Sequence, residues 1–161
     1  MKELDYAREW KVLGAVLSRF NELERQLASI VSAYIAPDPS KSQFVLRQLL
    51  HNSTVSFAAK VRLVLAITKD VHGPKLNRDN FHRILNVRNA LAHGIGPMSF
   101  RKNVNALNSA PYGEYLTVET LRGDGSVEER PTAQVTAEFI DLVAKLTAQL
   151  LQLNEKLSND A

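Results

Sequence analysis

One short segment of the 161-residue chain holds residue types suited to proton transfer and phosphate binding, namely Arg88, Asn89 and His93. At about 100° of rotation per residue, a helix over this segment puts Arg88 between Ile84 and Leu91 on one apolar stripe. A guanidinium in that place must be paired, lie at a subunit interface or line a polar cleft. Asn89 and His93 are four residues apart, so they share a neighbouring face of the helix.

His93 stands in the last turn of this predicted helix, where the helix dipole favours an imidazolium and a nearby guanidinium opposes it. Such a balance suits an imidazole that takes and gives a proton near neutral pH. A purely structural interpretation is also open, and geometry alone favours it. In that interpretation Arg88 forms a buried ion pair and His93 caps the helix C-terminus.

Hydrophobic spacing predicts four helices up to this segment. A long amphipathic helix over residues 5–36 ends at Pro37-Asp38-Pro39, because proline lacks an N–H and clashes with the preceding turn. Its apolar spacing is broken only at Glu24. A shorter helix follows over residues 43–51, and a third, near residues 55–71, has capping residues at 52–54. The fourth helix, over residues 80–93, has Asp79 as its N-cap candidate and Gly94 as its C-cap candidate.

Beyond Gly94 the composition changes. Residues 94–114 are rich in glycine, proline, asparagine and serine, which predicts a long loop. Residues 115–121 and 126–130 predict a β-hairpin around the turn residues at 122–125, and residues 133–157 predict a long final helix. The sequence therefore predicts one all-α domain over residues 1–161, an up-down bundle of four or five helices with a small β-hairpin inserted before the C-terminal helix.

The formal net charge is only +3, but it is unevenly distributed along the chain. Residues 60–102 hold nine basic side chains and only two acidic ones, Asp70 and Asp79. Such a block suits an anionic partner such as RNA, although a solvated basic face explains it equally well. Within the block, Arg83, Arg101 and Lys102 are candidate RNA contacts.

Several classes of site are excluded by composition and spacing. The chain has no cysteine, so it has no disulfide, thiolate zinc site or cysteine nucleophile. His51, His72 and His82 lack the spacing of metal ligands, and no glycine-rich phosphate loop precedes a helix. We therefore expect neither a metal nor a cofactor. The charged N-terminus and the absence of a long apolar stretch predict a soluble cytoplasmic protein without a membrane span.

The string Arg88-Asn89-Ala90-Leu91-Ala92-His93 has the form R-N-x-x-A-H near the end of a predicted helix. It resembles the signature of the HEPN (higher eukaryotes and prokaryotes nucleotide-binding) superfamily. The order of predicted helices agrees with that family over most of the chain. The motif itself covers about seven residues.

The resemblance implies a metal-independent endoribonuclease that works as a homodimer, with motif helices of two subunits facing each other. By position, His93 would be the general acid or base, Arg88 would stabilise charge on the phosphate, and Asn89 would orient the imidazole or bind phosphate. The nucleophile would be the ribose 2′-hydroxyl of RNA, and cleavage would leave 2′,3′-cyclic phosphate ends. Such an enzyme would be a toxin or defence effector, with an antitoxin protein as a candidate partner.

One position departs from part of the family. Some members carry a tyrosine two residues after the motif histidine, where a partner antitoxin adenylylates it, whereas this chain has Ile95. Two other functions also stay open. Many proteins with this fold are non-catalytic dimeric interaction or regulatory proteins, and the modest charge and lack of aromatic residues beside the motif favour that class. A helical small-ligand enzyme outside the family is least favoured, because no carboxylate or metal cluster marks a site.

Overall fold

The computed structural model describes residues 3–51, 54–93, 101–102, 116–121 and 124–159. Within these ranges, the side chains of residues 3–10, 93, 101–102, 116–117 and 120–121 lie outside the description. The described chain is a helical bundle with a small antiparallel hairpin before its last helix, which confirms the predicted fold class. In chain order, the elements are helix α1 (Glu3–Ile35), helix α2 (Pro39–Phe44), a π-helical turn (Val45–Leu49), helices α3 (Phe57–Asp70) and α4 (Arg78–His93), strands β1 (Arg101–Lys102), β2 (Leu116–Leu121) and β3 (Val127–Pro131), and helix α5 (Thr132–Asn159).

The second helix begins earlier than the sequence predicts. Asp38 caps α2, since its Oδ1 atom accepts hydrogen bonds from the Ser40 backbone N–H at 2.9 Å and the Ser40 hydroxyl at 2.7 Å. Pro39 occupies the first turn, where its missing N–H costs nothing. The proline predicted only to stop α1 therefore also starts α2. The expected helix over residues 43–51 is instead the end of α2 followed by the π-helical turn.

The caps of the next two helices also differ from the expected ones. Helix α3 is capped by Ser56, whose hydroxyl accepts from the Ala59 N–H at 3.3 Å. Of the predicted capping residues, Thr54 is not the cap, and residues 52–53 lie outside the described ranges. Helix α4 begins at Arg78, and Oδ1 of Asn77 accepts from the Asp79 N–H at 2.8 Å. Asp79 therefore lies in the first turn, where its negative charge interacts favourably with the helix dipole, and Asn77 is the N-cap. Gly94, the predicted C-cap, lies outside the described residues.

The sheet has three strands in the order β1-β2-β3, both pairs antiparallel. The hairpin register pairs Val118 with Arg130, and its turn is stabilised by Asp124, whose Oδ1 accepts from the Ser126 N–H at 2.9 Å. Residues 101–102 correct the prediction of a continuous loop, because they pair with Thr117 and Leu116 of β2. The edge of a sheet presents backbone donors and acceptors that another segment can pair with, which provides the reason for this third strand. The rest of the predicted loop lies outside the described residues.

The chain divides into two compact units, each assembled from distant segments. The first unit combines Met1–Phe20 with His82–Leu142, and the second combines Asn21–Phe81 with Val143–Ala161. Each unit has a buried apolar core. In the first unit the buried apolar side chains are Leu13, Val16, Phe20, Ile84, Leu91, Val118, Val135 and Phe139. The prediction of a single domain over residues 1–161 stays a prediction. None of the helices in the described ranges has the length and apolarity needed to cross a membrane.

Candidate functional site around Arg88

Helix α4 carries the predicted motif and presents it at the edge of the first unit's core. Ile84 and Leu91 are buried at 0% and 1% exposure, which confirms the apolar stripe on either side of Arg88. From Leu85 to Ala90, by contrast, six consecutive residues are half-buried. Six residues cover every direction around a helix, so this stretch of α4 is partly covered on all sides.

Arg88 is half-buried and is held by two neutral partners. Its Nη1 atom donates to Oδ1 of the neighbouring Asn89 at 3.0 Å. Its Cζ atom lies 5.5 Å from the ring centroid of Phe20, a cation–π contact with a side chain of α1 that is 4% exposed. No acidic side chain in the described ranges forms an ion pair with Arg88. The buried ion pair of the structural interpretation is therefore not seen among them.

The Nε atom of Arg88 is buried and has no hydrogen-bond partner among the described residues. A guanidinium has five N–H donors and no acceptor, so a half-buried arginine needs several acceptors around it. A buried donor left unpaired costs about 1–3 kcal/mol. Arg88 thus combines an incompletely bonded guanidinium with a charge that no described carboxylate neutralises. Such a group is suited to binding a phosphate or another oxyanion.

Asn89 and His93 follow Arg88 on the same helix. The side-chain oxygen of Asn89 accepts the hydrogen bond from Arg88. The side-chain nitrogen of Asn89, which can only donate, therefore points away from that contact. His93 is the last residue of α4, one turn beyond Asn89, and its side chain lies outside the described part of the structure. The backbone therefore brings the three motif residues onto the final two turns of one helix.

The other predicted RNA contacts are placed differently. Arg83 is 63% exposed, and its Nη2 atom lies 3.9 Å from Oε2 of Glu138 on α5. Arg130 of β3 donates to the other oxygen of that carboxylate at 2.5 Å. This hydrogen bond, with smaller effects from Gln134 and from the two guanidinium charges, lowers the pKa of Glu138. Arg83 is therefore a surface residue whose charge is only partly offset.

For Arg101 and Lys102 the structure gives the backbone alone. Both residues belong to β1, where they pair with β2, and their side chains lie outside the description. Their candidate role as phosphate contacts stays a prediction.

Two residues of this region were not predicted to matter. Phe20 lies in the apolar spacing of the predicted first helix, and no sequence pattern singled out Glu138. Each contacts a residue on another element, and helical spacing within one segment contains no signal for such a contact.

The second unit contains a separate open cavity of about 390 Å³. Its lining joins the middle of α1, Leu46 of the π-helical turn and the C-terminal half of α5. In the described ranges, no three histidine or acidic side chains are placed to hold a metal ion.

No protein-family model matches the chain, and no curated protein or solved structure matches it either.

Proposed function

We propose that the chain is a metal-independent endoribonuclease of the HEPN type that acts as a homodimer through its motif helix. The observation that carries the proposal is the state of Arg88. Its half-buried guanidinium is held by neutral partners and lacks a described carboxylate partner, and Arg88 precedes the last residue of α4 by five positions. An arginine in this state suits the negative charge that develops on a phosphate during cleavage.

In the proposed reaction the 2′-oxygen of a ribose attacks the adjacent phosphorus. The bond from that oxygen to phosphorus forms as the bond to the 5′-oxygen breaks, which leaves a 2′,3′-cyclic phosphate. A histidine takes the proton of the 2′-hydroxyl, and a second acid gives a proton to the departing 5′-oxygen. His93 and the corresponding residue of a second copy supply these two roles, Arg88 stabilises the phosphate oxygens, and Asn89 orients the site. Because RNA supplies its own nucleophile, the scheme requires no metal or cofactor.

The proposed dimer places a second copy of α4 against the half-buried stretch of this helix. The half-buried run over residues 85–90 includes Leu85 and Val87, apolar side chains whose remaining surface a second copy of α4 would cover. Arg83, Arg101 and Lys102 are proposed to contact phosphates outside the scissile position. An antitoxin protein that covers the motif residues of α4 is a further proposed partner.

The test is cleavage of a mixed RNA panel in EDTA. We expect wild-type protein to produce 2′,3′-cyclic phosphate ends, and Arg88→Ala and His93→Ala to lose at least about 100-fold in rate. Arg62→Ala, an exposed arginine of α3, and His82→Ala, an exposed histidine of α4, are matched controls that keep activity. Circular dichroism and sedimentation would show that each variant is folded and has the wild-type oligomeric state.

A second candidate function is a non-catalytic dimeric interaction protein of the same fold. Phe44, which precedes the π-helical turn, and Leu49, its last residue, are 62% and 51% exposed, and such a protein would bury these apolar side chains against its partner. Absence of cleavage by folded, dimeric wild-type protein would support this candidate. Cleavage that survives both Arg88→Ala and His93→Ala would contradict the proposed site.

A further inference from the structure

The Phe20 ring and the Arg88 guanidinium join α1 to α4 inside the first unit. Phe20 is 4% exposed, so its ring is fixed by the surrounding core, and Cζ of Arg88 lies 5.5 Å from its centroid. At that distance the negative face of the ring attracts the cation, and the attraction is stronger where water is excluded. The buried Nε atom of Arg88 shows that water is excluded from one side of this guanidinium.

We infer that Phe20 is a positioning residue for Arg88, which it holds in place while leaving the guanidinium charge available to an oxyanion. A carboxylate partner would also fix the side chain, but its negative charge would offset that of the arginine. The ring has no net charge, and neither does the Asn89 amide that accepts from Nη1. The Phe20 ring and the Asn89 amide thus restrain the guanidinium and leave its positive charge available to bind a phosphate.

The bonding pattern also indicates which donors of the guanidinium are left for a ligand. Nε is buried, and one N–H of Nη1 is directed at Asn89. Among the described residues, the second N–H of Nη1 and both N–H groups of Nη2 have no acceptor. Two or more donors on one planar group suit the oxygens of a phosphodiester. The ligand class is therefore an oxyanion bound through Nη2 and the second N–H of Nη1. Its identity as RNA rests on the function proposed above, whereas the contact with Phe20 does not.

Phe20→Leu removes the aromatic face and keeps an apolar side chain, and Phe20→Tyr restores an aromatic face. Phe139→Leu is the matched control, since Phe139 is also buried, belongs to the same unit and makes no cation–π contact with a described residue. Arg88 Nε–Hε exchange with water is measured by NMR, with Arg88→Lys to assign the signal. We expect exchange to accelerate in Phe20→Leu, but not in Phe139→Leu or Phe20→Tyr.

The second measurement is binding of a 2′-O-methyl RNA oligonucleotide, which lacks the nucleophile and is not cleaved. Phe20→Leu is expected to weaken binding roughly 2- to 30-fold, the range that corresponds to a cation–π contact. In an Arg88→Ala background, the same substitution is expected to have no further effect. A purely structural role for Phe20 would weaken binding equally in both backgrounds.

The outcomes separate this inference from the proposed function. Unchanged Nε–Hε exchange in Phe20→Leu, or full additivity with Arg88→Ala, would overturn the positioning role even if wild-type protein cleaves RNA. Absence of cleavage by wild-type protein would overturn the proposed function, whereas accelerated exchange in Phe20→Leu alone would still support the positioning role.

Discussion

Nη1 of Arg88 and Oδ1 of Asn89 lie 3.0 Å apart, so two neighbouring residues of α4 are joined side chain to side chain. Neighbouring residues of a helix point about 100° apart, and such pairs do not ordinarily face each other. The hydrogen bond therefore fixes the direction of the guanidinium across the helix surface. Asn89 thereby orients the Arg88 side chain without neutralising its charge.

Replacing Asn89 by aspartate should be more harmful than truncating it. In Asn89→Ala the arginine loses one acceptor, and we expect cleavage to fall about five- to tenfold, as for one hydrogen bond. In Asn89→Asp the new carboxylate pairs with the guanidinium and competes with phosphate, so we expect a loss of roughly 100-fold in rate. Initial rates on one RNA substrate would measure both. Asn86→Asp adds the same charge to the same helix, and an equal loss there would refute the explanation.

Glu138 should make a pH-dependent contribution to stability. Its pKa is lowered from 4.5, chiefly by the Arg130 hydrogen bond, so the folded state favours the carboxylate. The stabilisation is therefore present above the ordinary pKa and is lost as the pH falls through the lowered one. We expect Glu138→Gln to reduce the free energy of unfolding by less than about 1 kcal/mol at pH 7, because the carboxylate is partly exposed.

Urea unfolding of wild type and Glu138→Gln over a series from neutral to acidic pH would measure this difference, which should shrink towards zero in acid. Glu155→Gln is the control, since Glu155 is an exposed carboxylate of the same helix. A gap between wild type and Glu138→Gln that persists unchanged in acid would contradict the electrostatic origin.

The buried pair of Lys60 and Glu24 should be sensitive to single substitutions. Lys60 is fully buried and its Nζ donates to Oε1 of Glu24 at 3.0 Å inside the second unit. Lys60→Met leaves a buried carboxylate without its cation, and we expect a loss of about 3–5 kcal/mol in the free energy of unfolding. The double variant Lys60→Met/Glu24→Leu removes both charges and should recover most of that loss. Denaturant unfolding of the single and double variants gives the comparison, and an unrecovered loss would mean that packing dominates.

Two glycines should respond to alanine in opposite directions. A Cβ atom at Gly73 would lie 2.8 Å from Cδ1 of Leu153, a side chain with 0% exposure, so Gly73→Ala should destabilise the protein by about 1–3 kcal/mol. Gly14 is an exposed position inside α1 where an added methyl group would meet no described side chain within 4 Å, and Gly14→Ala should stabilise the helix by about 0.5–1 kcal/mol. Thermal unfolding of both variants checks the two signs. A destabilised Gly14→Ala would show that helix propensity does not control that position.

Local signals predicted most elements but not the contacts between them. The long helices followed from apolar periodicity, and the hairpin from alternation around a glycine-containing turn. Glu24 shows what periodicity cannot provide: it appeared as a break in the α1 stripe, yet it is buried because Lys60 of α3 neutralises it. Likewise, the motif located Arg88, whereas its aromatic partner Phe20 belongs to another helix.

The boundaries were less predictable where two local rules competed. A proline can follow the end of one helix or occupy the first turn of the next. The Asp38 cap shows that Pro39 also begins α2. Strand β1 has only two residues, which are too few for alternation of polar and apolar side chains to indicate a strand. Its formation depends on pairing with the edge of β2.

The pairing of Arg101 with Thr117 places the edge of the sheet a short stretch of chain beyond the end of α4. Eight Cα steps join His93 to Arg101, and even a fully extended chain covers no more than about 29 Å over that distance. The sheet edge is therefore tethered to the end of the motif helix. Under the proposed function, an RNA that contacts both places would need only a short footprint between the scissile phosphate and residues 101–102, so we expect short oligonucleotides to be cleaved.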